Sequence, residues 1–168
     1  MKRFDSSLEA FRGSRRRAVN GGEAEGALVA DDYAHHPTAI KTTLEGIKAF
    51  YPKRRLVLSF MSHTYTRTAA LLDDFASSFA DADILILHKI YGSAREEYSG
   101  GVTGKTLFEK TAKLQENVIY IDEHEDALDQ CLALLQRGDL FLTMGAGDNW
   151  KLGRSVYQAL QTKTRSSK

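Results

Sequence analysis

Asp31-Asp32-Tyr33-Ala34-His35-His36-Pro37-Thr38 is the stretch on which the fold turns. It gathers two carboxylates, a phenol and two imidazoles into one short junction. The apolar run Ala27-Leu28-Val29-Ala30 before it reads as a buried strand. Pro37 suits the first turn of a helix, where its missing N–H costs nothing. Ile40, Leu44, Ile47 and Tyr51 follow at helical spacing, which predicts an amphipathic helix from Pro37 to Tyr51. Polar groups concentrated where a strand hands over to a helix sit at the rim of an α/β sheet, where such folds bind ligands.

Working outward from this junction, Phe11-Arg12-Gly13-Ser14-Arg15-Arg16-Arg17 is basic and Asn20-Gly21-Gly22 is a strong turn signal. Together with Ala27 to Asp32 they predict a β-hairpin whose second strand ends in the octapeptide. On the other side, strands are expected at Leu56–Phe60, Ile84–Leu87, Val118–Ile121 and Leu140–Thr143. Helices are expected around Leu71–Phe79, Leu107–Leu114 and Asp126–Gln136, with a terminal helix through Leu160. Tyr91 to Val102, with Gly92, Gly100 and Gly101 among mixed charges, reads as a functional or mobile loop and is expected to be the most mobile internal segment. Strand and helix alternate through short connections, so the expected class is α/β. The architecture is a Rossmann-like three-layer sandwich, mostly parallel, with an antiparallel edge hairpin at the N-terminus.

Bulk properties narrow the function. The 168 residues suit one domain with a real core. A net charge of +1 argues against a general electrostatic nucleic-acid binder. Cys131, the sole cysteine, lies in an apolar stripe at helical spacing and reads as an inert buried thiol. No apolar run approaches the length of a membrane span and the start lacks a signal-peptide core, so a cytoplasmic protein without a membrane partner is expected.

Three loops at strand carboxyl ends carry unusual polar content: the octapeptide, Ser62-His63-Thr64-Tyr65-Thr66-Arg67-Thr68, and Gly145-Ala146-Gly147-Asp148-Asn149. In a parallel sheet they emerge on one edge and can converge. Arg67, in the first turn of its helix, is badly placed electrostatically unless it meets an anion. Asp31, Asp32, His35 and His36 could be metal ligands, but adjacent histidines point apart, and no metal site is expected. His36 reads as a helix cap. His88 and His124 read as structural or solvent-exposed. For Gly145 and Gly147, a tight turn and a ligand loop are equally open readings. Gly104-Lys105-Thr106 invites a phosphate-loop reading, but the glycine required five residues earlier is Ser99, so it is a decoy.

Phe11-Arg12-Gly13 with Arg16-Arg17, then D-D-Y-A-H-H-P-T, S-H-T-Y-T-R-T and G-A-G-D, in that order, resemble the carboxyl-terminal domain of the Mur ligases from about Phe11 to Leu160. The His63–Thr68 segment resembles family members that add L-alanine, and not a sibling that adds a whole murein tripeptide. Val19-Asn20 departs from the family pattern, which has an acidic residue after the arginine pair. The resemblance implies a bacterial, cytoplasmic, ATP-dependent ligase of peptidoglycan precursor synthesis. ATP phosphorylates the carboxylate of UDP-N-acetylmuramate, and L-alanine attacks the acyl phosphate. It implies that Asp32 and Arg17 contact ATP, while Tyr33, His35, His63, Arg67, Gly145 and Gly147 line the alanine or UDP-sugar site. Mg2+ and most of the ATP contacts would belong to a central domain, and the UDP-sugar to an N-terminal one. On this reading residues 1–10 are an added start and inter-domain seam, 11–162 the domain, and 163–168 a frayed tail. The chain is then an excised piece, with no catalytic residue sufficient alone. The sibling tripeptide ligase, a non-catalytic α/β nucleotide- or protein-binding module, and a small metallohydrolase built on the Asp/His cluster stand as alternatives.

Overall fold

A computed structural model of the chain describes residues 19–94, 96 and 100–166. Its strands are β1 (Val19–Ala24), β2 (Ala27–Asp32), β3 (Leu56–Met61), β4 (Ile84–Leu87), β5 (Val118–Tyr120) and β6 (Leu140–Gly145). They form one sheet of order β1-β2-β6-β3-β4-β5, antiparallel only between β1 and β2. The helices are α1 (Pro37–Phe50), α2 (Tyr65–Ala70), α3 (Leu72–Ser77), α4 (Gly104–Thr111), α5 (Leu128–Leu134) and α6 (Trp150–Ser166), with a 3-10 turn over His124–Ala127. The expected parallel sheet with an antiparallel amino-terminal edge is therefore present.

Strand alternation divides the core in two. Leu28, Leu56, Leu58, Phe60, Leu85 and Leu142 meet Ile40, Leu44 and Ile47 of α1, with Phe75 of α3 and Leu107 of α4, on one face. Val29, Val57, Ile86 and Phe141 meet Cys131 of α5 and Leu152, Val156 and Leu160 of α6 on the other. All six residues of β3 are buried, as its unbroken apolar run demands of a strand covered on both faces. The Cys131 thiol is fully enclosed, and burial pushes it up to about 12.

Several boundaries differ from the sequence reading. The hairpin turn is Glu25-Gly26, both with positive φ (52° and 77°), and not Asn20-Gly21-Gly22. Asn20 and Gly22 instead bracket an irregularity within β1, where the register shifts. Gly22 is held at φ +116° with its α-carbon tight against Tyr157 of α6: an added Cβ would lie 2.8 Å from the Tyr157 hydroxyl. The helix expected around Leu71–Phe79 is two short ones, α2 and α3, and the Asp126–Gln136 helix begins as a 3-10 turn. The terminal helix continues past Leu160 to Ser166, through residues expected to fray.

The amino edge of the sheet is locked by a two-pronged ion pair. Arg55 donates to Asp139 from Nε (3.1 Å) and Nη2 (2.7 Å), and the same carboxylate accepts the Gln136 amide. The carboxyl edge is different. There β6 runs on to α6 on one face, while β2 and β3 on either side of it run on to helices on the other. Connections that part in this way leave a crevice at the strand ends, the general place for a ligand in such folds.

Candidate functional site

The crevice is a cavity of about 800 Å³ at the carboxyl ends of β2 and β6. Tyr33, His63, Tyr91, Gly145 and Gly147 line it, with Asp31 of β2, Thr143 of β6, and Arg154 and Tyr157 of α6. The three polar loops expected to converge thus do so, though not with all their residues. Among the expected site residues, Tyr33, His63, Gly145 and Gly147 line the cavity. His35 stands next to it, its ring edge-on to Tyr33 at 5.0 Å between centroids. Arg17 lies outside the described residues.

Asp32 is on the other face. Successive β2 residues point opposite ways, so Asp31 reaches the cavity side, where its Oδ1 accepts the Thr143 hydroxyl at 2.8 Å. Asp32 pairs in register with Met144 of the α1-side core. It is 3 % exposed and accepts the Ala34 amide at 2.7 Å, closing the turn that leads to α1. His36 is the α1 cap: its Nδ1 accepts the Thr38 amide at 3.3 Å, as read from the sequence.

Arg67 does not line the cavity itself. It lies half-buried one helical turn behind His63 and donates from Nη1 to the His63 carbonyl at 2.7 Å. The electrostatic objection to its position weakens here, because α2 has only six residues and Arg67 also belongs to its last turn. Thr64 caps α2, and Thr68 ties the loop down through the Thr64 carbonyl and the Ser62 hydroxyl, both at 2.6 Å. Burial first, and then the charges of Arg67 and His35, hold the His63 imidazole below its usual range, while Glu96 pulls the other way. His63 is thereby kept neutral at pH 7, with ring nitrogens that can accept as well as donate.

The glycines of the third loop are required by space. Gly145 has φ +118° and a Cβ there would sit 2.1 Å from the Met61 carbonyl; at Gly147 (φ +103°) it would meet the Tyr91 ring at 2.7 Å. Beneath them Asn149 is buried, its Nδ2 donating to the carbonyls of Ser59 (2.8 Å) and Met144 (3.1 Å). The Ser59 hydroxyl lies 2.8 Å from His88 Nε2 and 3.0 Å from Asn149 Oδ1, so its single proton serves one or the other. His88 and His124 are both buried, and His88 joins the Ser59–Asn149 group through its Nε2. The decoy reading of Gly104-Lys105-Thr106 has a packing cause. A Cβ at Gly104 would lie 2.3 Å from the His88 carbonyl, and Thr103 and Thr106 form a reciprocal cap.

Thr143, Arg154 and Tyr157 of the lining escaped sequence reasoning, as did the roles of two residues in the Tyr91 loop. Tyr91 lines the cavity with its ring 5.8 Å from that of His63, and its amide donates to the Ser62 carbonyl at 2.8 Å. Glu96 accepts from the amides of Tyr65 (3.0 Å) and Thr66 (2.8 Å) and from the Thr66 hydroxyl (2.8 Å). Both lie in the segment expected to be loose, and no local spacing links them to residues some thirty positions earlier. Among the described residues, no three His, Cys, Asp or Glu side chains are arranged to hold a metal ion. No helix among them is long and apolar enough to cross a membrane.

Residues 15–147 match the family described as Mur ligase, glutamate ligase domain. The chain is 55% identical over 150 residues to UDP-N-acetylmuramate–L-alanine ligase of Treponema pallidum, covering 89% of this chain and 31% of that one. The chain thus spans about a third of the length of the curated relatives it matches. Among solved structures, a murein peptide ligase of Psychrobacter arcticus superposes with a TM-score of 0.72 at 26% identity, over 93% of this chain and 32% of that one. UDP-N-acetylmuramate–alanine ligase of Thermotoga maritima superposes with a TM-score of 0.68 at 24% identity, over 97% and 33%, and carries the same fold.

Proposed function

Because this chain belongs to the Mur ligase family, as its glutamate ligase domain, we propose that it is the C-terminal domain of an ATP-dependent enzyme that joins L-alanine to UDP-N-acetylmuramate. The observation that carries this reading is the high identity, across nearly the whole chain, to ligases bearing that name. The crevice where Tyr33 and His63 converge fits it.

The chemistry makes sense of the side chains. ATP converts the sugar's carboxylate to an acyl phosphate, and the alanine amine displaces phosphate to leave an amide. Phosphoryl transfer rests on positioning and charge neutralisation, and the acyl phosphate must be kept from water. A domain closing over the nucleotide-binding one supplies both. In this reading Arg67 pairs with the alanine carboxylate through its planar fork. His63, kept neutral, accepts a hydrogen bond from the amine without repelling it. Tyr33, His35, Gly145 and Gly147 close the walls. Asp32 and Arg17 would serve the ATP side. Asp32 needs the Tyr33–Ala34 turn to give way before a ribose reaches it, since it is buried and on the opposite face from the cavity. In this reading Mg2+ is held mainly by the central domain of the ligase, with the ATP phosphates among its ligands.

The test is phosphate release by the complete ligase that carries this domain, with ATP, Mg2+ and UDP-N-acetylmuramate. We expect turnover that requires L-alanine. Turnover with the murein tripeptide and not with alanine would move the protein to the sibling activity, and none with either would overturn the ligase reading.

A further inference from the structure

The loop that begins at Tyr91 touches two of the other loops that build the cavity, those of His63 and Gly147. The Tyr91 amide holds the Ser62 carbonyl, its ring lies beside His63, and it fills the space that a side chain at Gly147 would need. Gly92 lets the backbone pass the Tyr65 ring, to which a Cβ would come within 3.2 Å. The chain then turns, with the Glu96 amide on the Ser93 carbonyl at 3.0 Å, and presents the Glu96 carboxylate to the start of α2. Each oxygen is used: Oε2 accepts the Tyr65 amide, and Oε1 accepts both the amide and the hydroxyl of Thr66. Tyr65 and Thr66 lie between His63 and Arg67, directly after the cap residue Thr64. A carboxylate on first-turn amides forms charge-assisted bonds, stronger than neutral ones.

We propose that Glu96 is a positioning residue for the amino-acid pocket: it clamps the Tyr65–Thr66 backbone so that His63 and Arg67 keep their places on either side of it. The proposal rests on the ligase reading for what the pocket binds, but the clamp itself does not. Two consequences follow. Removing the carboxylate releases the two amides, and it removes the one charge among the described residues that favours a protonated His63. Among the described residues, the charged groups that bear on His63 are Arg67 from its own loop, His35 from the octapeptide and Glu96 from the Tyr91 loop. Without Glu96 the remaining two both oppose protonation.

The experiment uses the 168-residue chain for the clamp and the complete ligase for its effect. Glu96 is only half-buried and belongs to neither core cluster, so Glu96→Ala and Glu96→Gln should fold. In Glu96→Ala, amide exchange at Tyr65 and Thr66 should accelerate about tenfold or more, while the Ile40 amide of α1 keeps its rate. The His63 midpoint, followed by NMR, should fall in both variants. Gln retains one acceptor oxygen, so Glu96→Gln should keep part of the Thr66 protection and lose that of Tyr65. In the complete ligase, the alanine KM should rise about tenfold in Glu96→Ala, with the KM for UDP-N-acetylmuramate unchanged. Unaltered exchange and an unmoved His63 midpoint would overturn the clamp. Released amides with a wild-type alanine KM would overturn its role in the pocket. Failure of the ligase reading would show separately, as a wild-type enzyme that does not use alanine.

Discussion

At the scale of single residues, Arg67 and His88 mark the two kinds of polar side chain in this domain. Arg67 is half-buried behind the cavity rim and spends one donor on the His63 carbonyl, leaving the rest of its fork for an anion. If that anion is the alanine carboxylate, Arg67→Ala in the complete ligase should cost roughly 2–4 kcal/mol, or about 30- to 1000-fold in kcat/KM for alanine. Arg67→Lys should recover only part, because a point charge cannot reproduce a fork. Steady-state kinetics with alanine varied checks this; wild-type efficiency in the alanine variant would remove Arg67 from the site. His88 is buried and spends Nδ1 on the Ile121 carbonyl. Burial, which outweighs that bond, pushes it down to about 4. Its folded value is thus below the unfolded one near 6.5, so between those values the unfolded chain binds the extra proton. Stability should be full above pH 6.5 and fall as pH drops, by on the order of 2 kcal/mol between pH 7 and pH 5. His63 acts with the same sign. Asp83, whose folded value is lowered below the usual carboxylate range, acts only at lower pH. Urea midpoints at the two pH values measure the loss, and an NMR titration of His88 assigns it; a midpoint for His88 near 6.5 would contradict the account.

At the scale of elements, α4 shows why a motif must be read in its packing. Thr103 and Thr106 cap each other, and Gly104 lets the helix start press on the end of β4. Thr103→Ala should cost about 1 kcal/mol, the usual worth of a cap. Gly104→Ala should cost more, about 1–3 kcal/mol, because the new Cβ would meet backbone at 2.3 Å, which has nowhere to go. Chemical denaturation of both variants tests the order. In the complete ligase neither should change the KM for ATP; a large rise confined to Gly104→Ala would revive the phosphate-loop reading. The hairpin teaches a related lesson. Glu25-Gly26 makes the turn although Asn20-Gly21-Gly22 is the stronger local signal, because Ala24 and Ala27 pair across it and Gly22 is needed against Tyr157.

At the scale of the whole molecule, the described residues present one side of a crevice. Its floor is cross-linked by Asn149 and its rim is shared among loops from β2, β3, β4 and β6. No phosphate loop of the G-x-x-x-x-G-K-[ST] pattern occurs among them, and Asp32 is enclosed. The isolated chain should therefore bind ATP weakly and not hydrolyse it. Calorimetry with ATP and Mg2+ decides the first part, and a sub-micromolar Kd would sink the view that most nucleotide contacts lie in another domain.

What the sequence by itself determined is the order of elements, because apolar period is local: Ile40, Leu44 and Ile47 fall on one helix face whatever surrounds them, and the β3 run can only be a doubly covered strand. It also determined which loops share the carboxyl edge, since parallel strands leave no other choice, and that His36 caps α1. Only tertiary structure decided that Asp31 and Asp32 part company across the sheet, that β6 inserts between β2 and β3, and that Tyr91 and Glu96 complete a rim begun by His63. Those facts depend on contacts between residues far apart in the chain. Their energies come from complementary shape and charge brought together after folding, and no spacing along the chain records them.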